Sequence, residues 1–152
     1  MYIVENIDEV NINNIYISDS LENTVIDNGK FSKIMYSTPD YVMNGIYVLC
    51  SFSNTIVDKI APNKFKVSWN REKNKHLIDK LITMERDILE KMGGRNSQYQ
   101  LAKILDFNNV RIFSEEAKLT SNSDFILRIS GVWENESICG ITYKFLETDA
   151  CF

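Results

Sequence analysis

The segment that decides the fold runs from Asp124 to Phe145 and reads DFILRISGVWENESICGITYKF. Two runs of residues that favour β-strands flank a polar stretch, ENES, at residues 134–137. Within each run apolar and polar residues roughly alternate, which is typical of strands that bury one face. The segment therefore predicts an antiparallel hairpin that turns at the polar stretch.

Each strand of this hairpin has an apolar face and a mixed face that carries one cation, Arg128 in the first strand and Lys144 in the second. Gly131 and Gly140 interrupt the alternation, and glycine inside a strand usually marks a bulge or a sharp bend. Strongly bent strands are what a small closed barrel requires. The residues of the two apolar faces are Phe125, Leu127, Ile129, Ile141, Tyr143 and Phe145.

Five more segments have the alternation or the composition of strands. The segment at 53–63 fits either a short helix or the end of a strand. The five predicted strands are Val10–Ile17, Phe31–Tyr36, Gly45–Phe52, Phe65–Trp69 and Phe107–Phe113.

One long helix is predicted from Glu72 to Met92, because apolar residues recur there at spacings of three, four and seven. Asn70 or Asn74 could cap its start, and Gly93-Gly94 would end it. A second, shorter helix is predicted at 97–105. Together these elements predict an α+β fold that is mostly β: a small Greek-key barrel of the oligonucleotide-binding type with one long inserted helix.

The composition is that of a folded protein, with 152 residues, 44% hydrophobic and 25% charged. We expect a single domain over residues 1–152, with a short acidic tail at 147–152. The sequence has no apolar run long enough for a bilayer, and its first residues lack a signal core, so we expect an intracellular protein. Cys50, Cys139 and Cys151 lack metal spacing, so reduced thiols are expected.

The net charge of −4 conceals a segregation along the chain. Residues 1–28 contain six acids and no Lys or Arg, whereas the segment from Lys59 to Arg111 contains twelve cations against six acids. The overall acidity therefore does not exclude a polyanion as partner. The alternative is that these cations belong to an ordinary solvated helix face.

The sequence shows no motif that would indicate an enzyme. His76 is the only histidine and has no partners at metal-site spacing. The segment Gly93-Gly94-Arg95 lacks the Lys and Ser/Thr of a phosphate-binding loop, and no nucleophile elbow is present. We therefore expect a non-enzymatic protein without a cofactor or a metal.

The hairpin and the helix together resemble a known family, the small single-stranded-DNA-binding proteins of large DNA viruses. The hairpin of that family typically reads Ser-Gly-Ile-Trp, a polar turn, and Gly-Leu-Thr followed by an aromatic and a basic residue. Here the corresponding segments are Ser130-Gly131-Val132-Trp133 and Gly140-Ile141-Thr142-Tyr143-Lys144-Phe145. The predicted long helix also stands where the family has its own long helix.

This resemblance implies an oligonucleotide-binding barrel, single-stranded DNA as partner, and a role in viral DNA replication. It also implies a host nucleus or a cytoplasmic viral factory as location. The acidic tail ending in Phe152 is similar to the tails with which phage single-strand binders contact replication proteins.

Binding of a single strand without sequence preference requires a basic groove and aromatic side chains on which bases stack. Several segments combine the two, although aromatics in such strands are more often core residues. The predicted nucleic-acid-binding residues are Lys33, Tyr36, Lys64, Lys66, Trp69, Arg71, Arg128 and Lys144.

The prediction requires that Lys66, Arg128 and Lys144 converge on one concave surface. The competing hypothesis is a viral structural or protein-interaction module that forms homo-oligomers and has no affinity for nucleic acid. An exposed sheet edge or the acidic segments would then serve as its contact surface.

Overall fold

The computed structural model describes residues 3–19, 21–23, 29–93, 96–114, 119 and 124–148, and of 21–23 it describes the backbone. Its helices are α1 (Lys75–Lys91) and α2 (Gln100–Asp106), with 3-10 helices at Ile7–Glu9, Ile12–Asn14 and Glu72–Asn74. The strands are β1 (Ile15–Ile17), β2 (Leu21–Asn23), β3 (Gly29–Ser37), β4 (Val42–Asn44), β5 (Ile46–Cys50), β6 (Ile56–Ala61), β7 (Lys64–Ser68), β8 (Asn109–Phe113), β9 (Phe125–Glu134) and β10 (Cys139–Glu147).

The predicted final hairpin is confirmed and forms the centre of a seven-stranded antiparallel sheet. β9 pairs with β10 along one edge, from Phe125 to Glu134. Its other edge is shared: β5 pairs with residues 125–129, and β3 with residues 131–134. β3 in turn pairs with β1, β2 and β4. A single strand therefore connects most of the sheet.

β6, β7 and β8 form a second, three-stranded antiparallel sheet in that order. β8 lies beside β10, but no hydrogen-bonded ladder joins them among the described residues. The two helices cover this region, since α1 packs on β10 and on α2, and α2 packs on β8 and β10. One core thus collects apolar side chains from both sheets and both helices.

The mostly-β fold with one long helix is confirmed, whereas a closed barrel is not what the described strands form. The ambiguous segment at 53–63 contains a strand, β6. The prediction of a strand over Val10–Ile17 was wrong at its start, because a 3-10 helix occupies Ile12–Asn14. The Asn11 side chain accepts a hydrogen bond from the Asn13 N–H, and such local bonds compete with a strand ladder.

Asn74 stands at the start of α1, as predicted, but its side chain does not cap the helix. It is buried, accepts a hydrogen bond from the Ser53 N–H at 2.7 Å, and donates to the Ser53 and Asn70 carbonyls. Asn70 instead caps the preceding 3-10 helix, because its side chain accepts from the Lys73 N–H. Asn74 therefore ties the start of α1 to Ser53, in the segment that follows β5.

The two glycines of the hairpin lie beneath aromatic rings. A Cβ on Gly140 would stand 2.7 Å from Cζ2 of Trp133, and one on Gly131 would stand 2.7 Å from Cε2 of Phe31. The register of the hairpin shifts between Thr142 and Tyr143, which places a bulge next to Gly131. The predicted irregularity is confirmed at Gly131, whereas the ladder is regular at Gly140, and the close approach of the rings gives a reason for glycine at both positions.

Gly140→Ala is expected to destabilise the protein by ~1–3 kcal/mol, because its Cβ would overlap the Trp133 ring. All the close neighbours are atoms of that side chain, so the cost should fall in a Trp133→Leu background. Urea unfolding of the four variants of this double-mutant cycle measures the coupling. An equal cost in both backgrounds would contradict the packing.

Gly131→Ala provides the contrast, because its Cβ would also stand 2.5 Å from the Ser32 carbonyl oxygen. The Ser32 carbonyl belongs to the backbone, which cannot move away from the new Cβ as the end of a side chain can. Truncation of Phe31 should therefore leave most of the cost of Gly131→Ala in place.

Candidate nucleic-acid interface

A groove of about 510 Å³ lies where β8 and β10 run side by side without pairing. Aromatic side chains and two cations dominate its lining. The lining residues are Ile104, Phe107, Asn109, Val110, Arg111, Phe113, Tyr143, Lys144 and Phe145.

The alternation of β8 explains its contribution to the groove. Val110 and Ile112 are buried in the core, so Arg111 and Phe113 lie on the opposite, exposed face. Phe107 follows the last turn of α2, and the next residue, Asn108, has a φ of 57°. Asparagine tolerates this left-handed conformation, which turns the chain from the helix into β8. Phe107 is thereby left 65% exposed and Phe113 53% exposed.

Tyr143 lies half-buried in the groove. Burial, with a smaller contribution from the charge of Glu85, raises the pKa of Tyr143 to about 12. Its phenol therefore remains protonated at neutral pH and can donate a hydrogen bond to a ligand.

Glu85 of α1 fixes the position of α2 next to the groove. The backbone N–H groups of Leu101 and Ala102 both donate to its carboxylate at 2.9 Å. Glu85 thus satisfies two N–H groups of the first turn of α2, whose N-cap residue makes no side-chain capping bond. Burial raises the pKa of Glu85, and these two hydrogen bonds partly oppose the shift.

Three predicted lysines gather around this groove. Lys144 lines it directly, and Lys66 is the cross-strand partner of Arg111. Lys64 is the partner of Phe113 in the same pair of strands. Directly opposite residues of paired strands share a face, so Lys64, Lys66, Arg111 and Phe113 lie on one face beside the groove, where Lys66 is half-buried and the other three are exposed. Asp58 of β6 pairs with Lys66 from the other side and offsets part of this charge.

Arg128 is the cross-strand partner of Lys144 and lies on the same face of the large sheet. Its guanidinium stands 5.7 Å from the centre of the Tyr47 ring, within the range of a cation–π contact. Tyr47 and Ile126 share this face and are buried, so the Arg128 end of the face is covered. Arg128 therefore neighbours the groove through Lys144 and is itself half-buried.

The other two predicted cations lie apart from the groove lining. Lys33 is exposed on β3, opposite Gly131. Arg71 forms an exposed ion pair with Asp106 at 3.1 Å, next to the end of α2.

Tyr36 and Trp69, the two predicted aromatics, are core residues. Tyr36 is 3% exposed, and its hydroxyl accepts a hydrogen bond from the Asn11 N–H. Trp69 is 6% exposed and stacks on Phe52 with ring centres 4.2 Å apart. The period-two pattern explains both, because Tyr36 belongs to the apolar face of β3 and Trp69 continues the apolar alternation of β7 one residue past its end. Neither ring is accessible to a base.

Sequence reasoning missed Phe107, Arg111 and Phe113 as residues of the site. Part of the signal was present: the alternation Asn109-Val110-Arg111-Ile112-Phe113 places an arginine and a phenylalanine on one polar face. A single apolar residue on the polar face of a strand is common on protein surfaces, so this pattern alone did not indicate a contact surface. The exposure of Phe107 depends on the helix end and could not be read from that pattern.

Among the described residues, no group of three or more His, Cys, Asp or Glu side chains is placed to hold a metal ion. None of the helices in the described ranges is both long enough and apolar enough to cross a membrane. Cys50 and Cys139 are buried, and burial raises the pKa of Cys50 to about 12. Residues 149–152 of the acidic tail, which include Cys151, lie outside the described residues.

Comparison with known proteins gives no relative, because no family model, curated protein or solved structure matches this chain. The geometry of the site therefore carries the functional argument.

Glu85→Gln tests how α2 is held beside the groove. A glutamine amide has one acceptor, so one of the two N–H groups of α2 loses its partner, at a cost of ~1–3 kcal/mol. The raised pKa of Glu85 adds a pH dependence: its proton-linked stability is present below the ordinary value of 4.5 and is lost as pH rises through the folded-state pKa.

The free energy of unfolding of the wild type minus that of Glu85→Gln should therefore fall as pH rises above 4.5. Urea unfolding at a series of pH values measures this difference. Glu90→Gln, at an exposed position of the same helix, is the matched control. A difference that stays constant or increases with pH would contradict the assignment.

Proposed function

We propose that this protein is a non-enzymatic single-stranded nucleic-acid-binding protein. The observation that carries the proposal is the groove between β8 and β10, where exposed Phe107 and Phe113 stand beside Arg111 and Lys144. Aromatic rings with neighbouring cations are the combination that single-strand binding requires, because bases stack while phosphates pair with charge.

In this proposal bases stack on Phe107 and Phe113, and the Tyr143 hydroxyl donates a hydrogen bond. Arg111 and Lys144 contact the phosphates in the groove, and Lys64 and Lys66 extend the contact along β7. Each stacked base contributes ~1–3 kcal/mol, and the phosphate contacts make the affinity depend on salt. The net charge of −4 does not oppose this, because acids distant from the groove are screened beyond ~8–10 Å at physiological salt.

The resemblance of the hairpin and the long helix to viral single-stranded-DNA-binding proteins supports the same function. We extend the proposal to an oligonucleotide-binding-type barrel that is open at the β8–β10 groove. A role in viral DNA replication belongs to the proposal as well. Contacts with replication proteins would involve the acidic tail at 147–152.

The test is titration of a labelled oligo-dT with the protein at two salt concentrations, followed by fluorescence anisotropy. Arg111→Gln and Lys144→Gln should each weaken binding and reduce the salt slope by ~0.7 per lost phosphate contact. Phe113→Ala should weaken binding on the order of 5–150-fold, the equivalent of one lost stacking contact.

Two variants outside the groove serve as matched controls. Lys75→Gln removes an exposed cation at the start of α1, and Tyr99→Ala removes an exposed aromatic at the opposite end of α2 from Phe107. Both should bind as the wild type does. Absence of binding, salt-insensitive binding, or equal losses in the control variants would reject the proposal.

One observation favours the competing function, a protein-interaction module that forms homo-oligomers. Within the described residues β6 pairs only with β7, and Ile56 and Ile60 on this edge strand are 63% and 45% exposed. An open edge with exposed apolar side chains is a template for pairing with a second chain.

For that function, light scattering should show a stable oligomer that Ile60→Lys converts to monomers, because a charge blocks edge pairing. Lys59→Gln, next to it on the same strand, is the control. A monomer at all concentrations would exclude edge pairing as the function.

A further inference from the structure

A second pair of aromatic rings lies on the outer face of the large sheet, away from the β8–β10 groove. Phe31 of β3 and Trp133 of β9 are cross-strand partners, and Trp133 is also the partner of Gly140. The rings approach the backbone at Gly131 and Gly140 so closely that a Cβ at either glycine would overlap them. Both side chains are half-buried, so each ring has one side against the sheet and keeps part of its surface open.

Two cations stand near this aromatic pair, both on the side of it where Gly131 lies. Lys33 follows Phe31 on the same face of β3, opposite Gly131. Lys144 lies on the same face of β10, four residues beyond Gly140, or ~13 Å at ~3.3 Å per residue. Thr142 lies between Gly140 and Lys144 on this face of β10. The described residues of β3, β9 and β10 that share this face include no Asp or Glu.

Lys144 also lines the groove, so the two aromatic surfaces share one cation. A strand that leaves the groove over Lys144 would therefore pass the row that contains Thr142 and Lys33 and then arrive at Trp133 and Phe31. The surface along this path remains polar or cationic for its whole length.

We propose that Phe31 and Trp133 form a second stacking site, which binds bases of the same single strand that occupies the groove. This inference rests on the proposed function and extends it, because it sets the length and the route of the bound strand. Glycine beneath each ring allows the ring to lie close to the sheet, which leaves its outer side free to stack on a base.

The simpler explanation of the rings is that they cover the glycines and contribute only to stability. The two explanations differ in what happens at Trp133 when an oligonucleotide binds. A stacked base changes the surroundings of the indole, whereas a purely structural ring remains as it was.

The sequence has two tryptophans, and the other one, Trp69, is in the core. A Trp69→Phe variant therefore leaves Trp133 as the sole source of indole fluorescence. Oligo-dT of about twelve nucleotides, within the range of sites on such barrels, should quench this fluorescence as it binds. Binding without a change in the Trp133 fluorescence would overturn the second site.

Affinity gives an independent measurement. Trp133→Leu should weaken binding of the same oligo-dT on the order of 5–150-fold and shorten the occluded site, whereas Trp133→Phe should restore most of the affinity. Met35→Ala, at an exposed position of β3 on the same face, should have no effect.

The outcomes separate this inference from the proposed function. If groove variants abolish binding but Trp133→Leu does not change the affinity or the site length, the second stacking site is rejected and the groove is retained as the binding site. If neither the wild type nor any variant binds the oligonucleotide, the second stacking site and the proposed function are both rejected. Should Trp133→Leu fail to fold by circular dichroism, the fluorescence of native Trp133 in Trp69→Phe still decides.

Discussion

The pairing of β9 on both of its edges is the constraint on which the rest of the structure depends. One edge holds β10 over its whole length, and the other is divided between β5 and β3. Such a division requires the strand to change direction, and the bulge beside Gly131 falls where β5 gives way to β3. The tight contacts of Phe31 and Trp133 over Gly131 and Gly140 follow from the same bend, since only glycine leaves room there.

The groove follows from how β10 is paired. Because β9 occupies one edge of β10, the second sheet can approach only the other edge, and it does so without forming a ladder among the described residues. α2 then fills part of the gap and ends just before Phe107, while the Glu85 carboxylate holds its first turn. A buried charge is expensive unless its hydrogen bonds are satisfied, so this cap ties the position of α2 to the integrity of α1.

Prediction from the sequence was accurate for the strongly periodic elements. It was less accurate where local side-chain hydrogen bonds or tertiary contacts determine the structure. The hairpin, the long helix and β7 carry clear periods and were found. The Asn-rich segment before β1 alternates as a strand does, yet the Asn11 side chain bonds to its own backbone and gives a 3-10 helix. The gap between β8 and β10 depends on contacts distant in sequence, so no local pattern could indicate that the sheets would stay apart.

The site was predictable in its cations and less so in its aromatics. Lysines seldom enter a core, so Lys64, Lys66 and Lys144 on polar faces were expected to reach solvent: Lys64 and Lys144 are exposed and Lys66 is half-buried. Aromatic side chains can serve either in a core or in an exposed stacking site, and Tyr36 and Trp69 are both buried in the core. Aromatic residues are accessible here for particular reasons: Phe107 follows a helix end, Phe113 lies on a polar face, and Trp133 covers a glycine.

Charged side chains near open strand edges also have a plain structural explanation, because they prevent edges from pairing with other molecules. A charge of either sign would give this protection. The chain contains 21 acids and 17 Lys and Arg residues, so a device without sign preference would use acids at least as often. The charged residues that line the groove are nevertheless Arg111 and Lys144, and both are cations. Edge protection alone therefore does not account for the sign, whereas the polyanion that we propose for the groove would account for it.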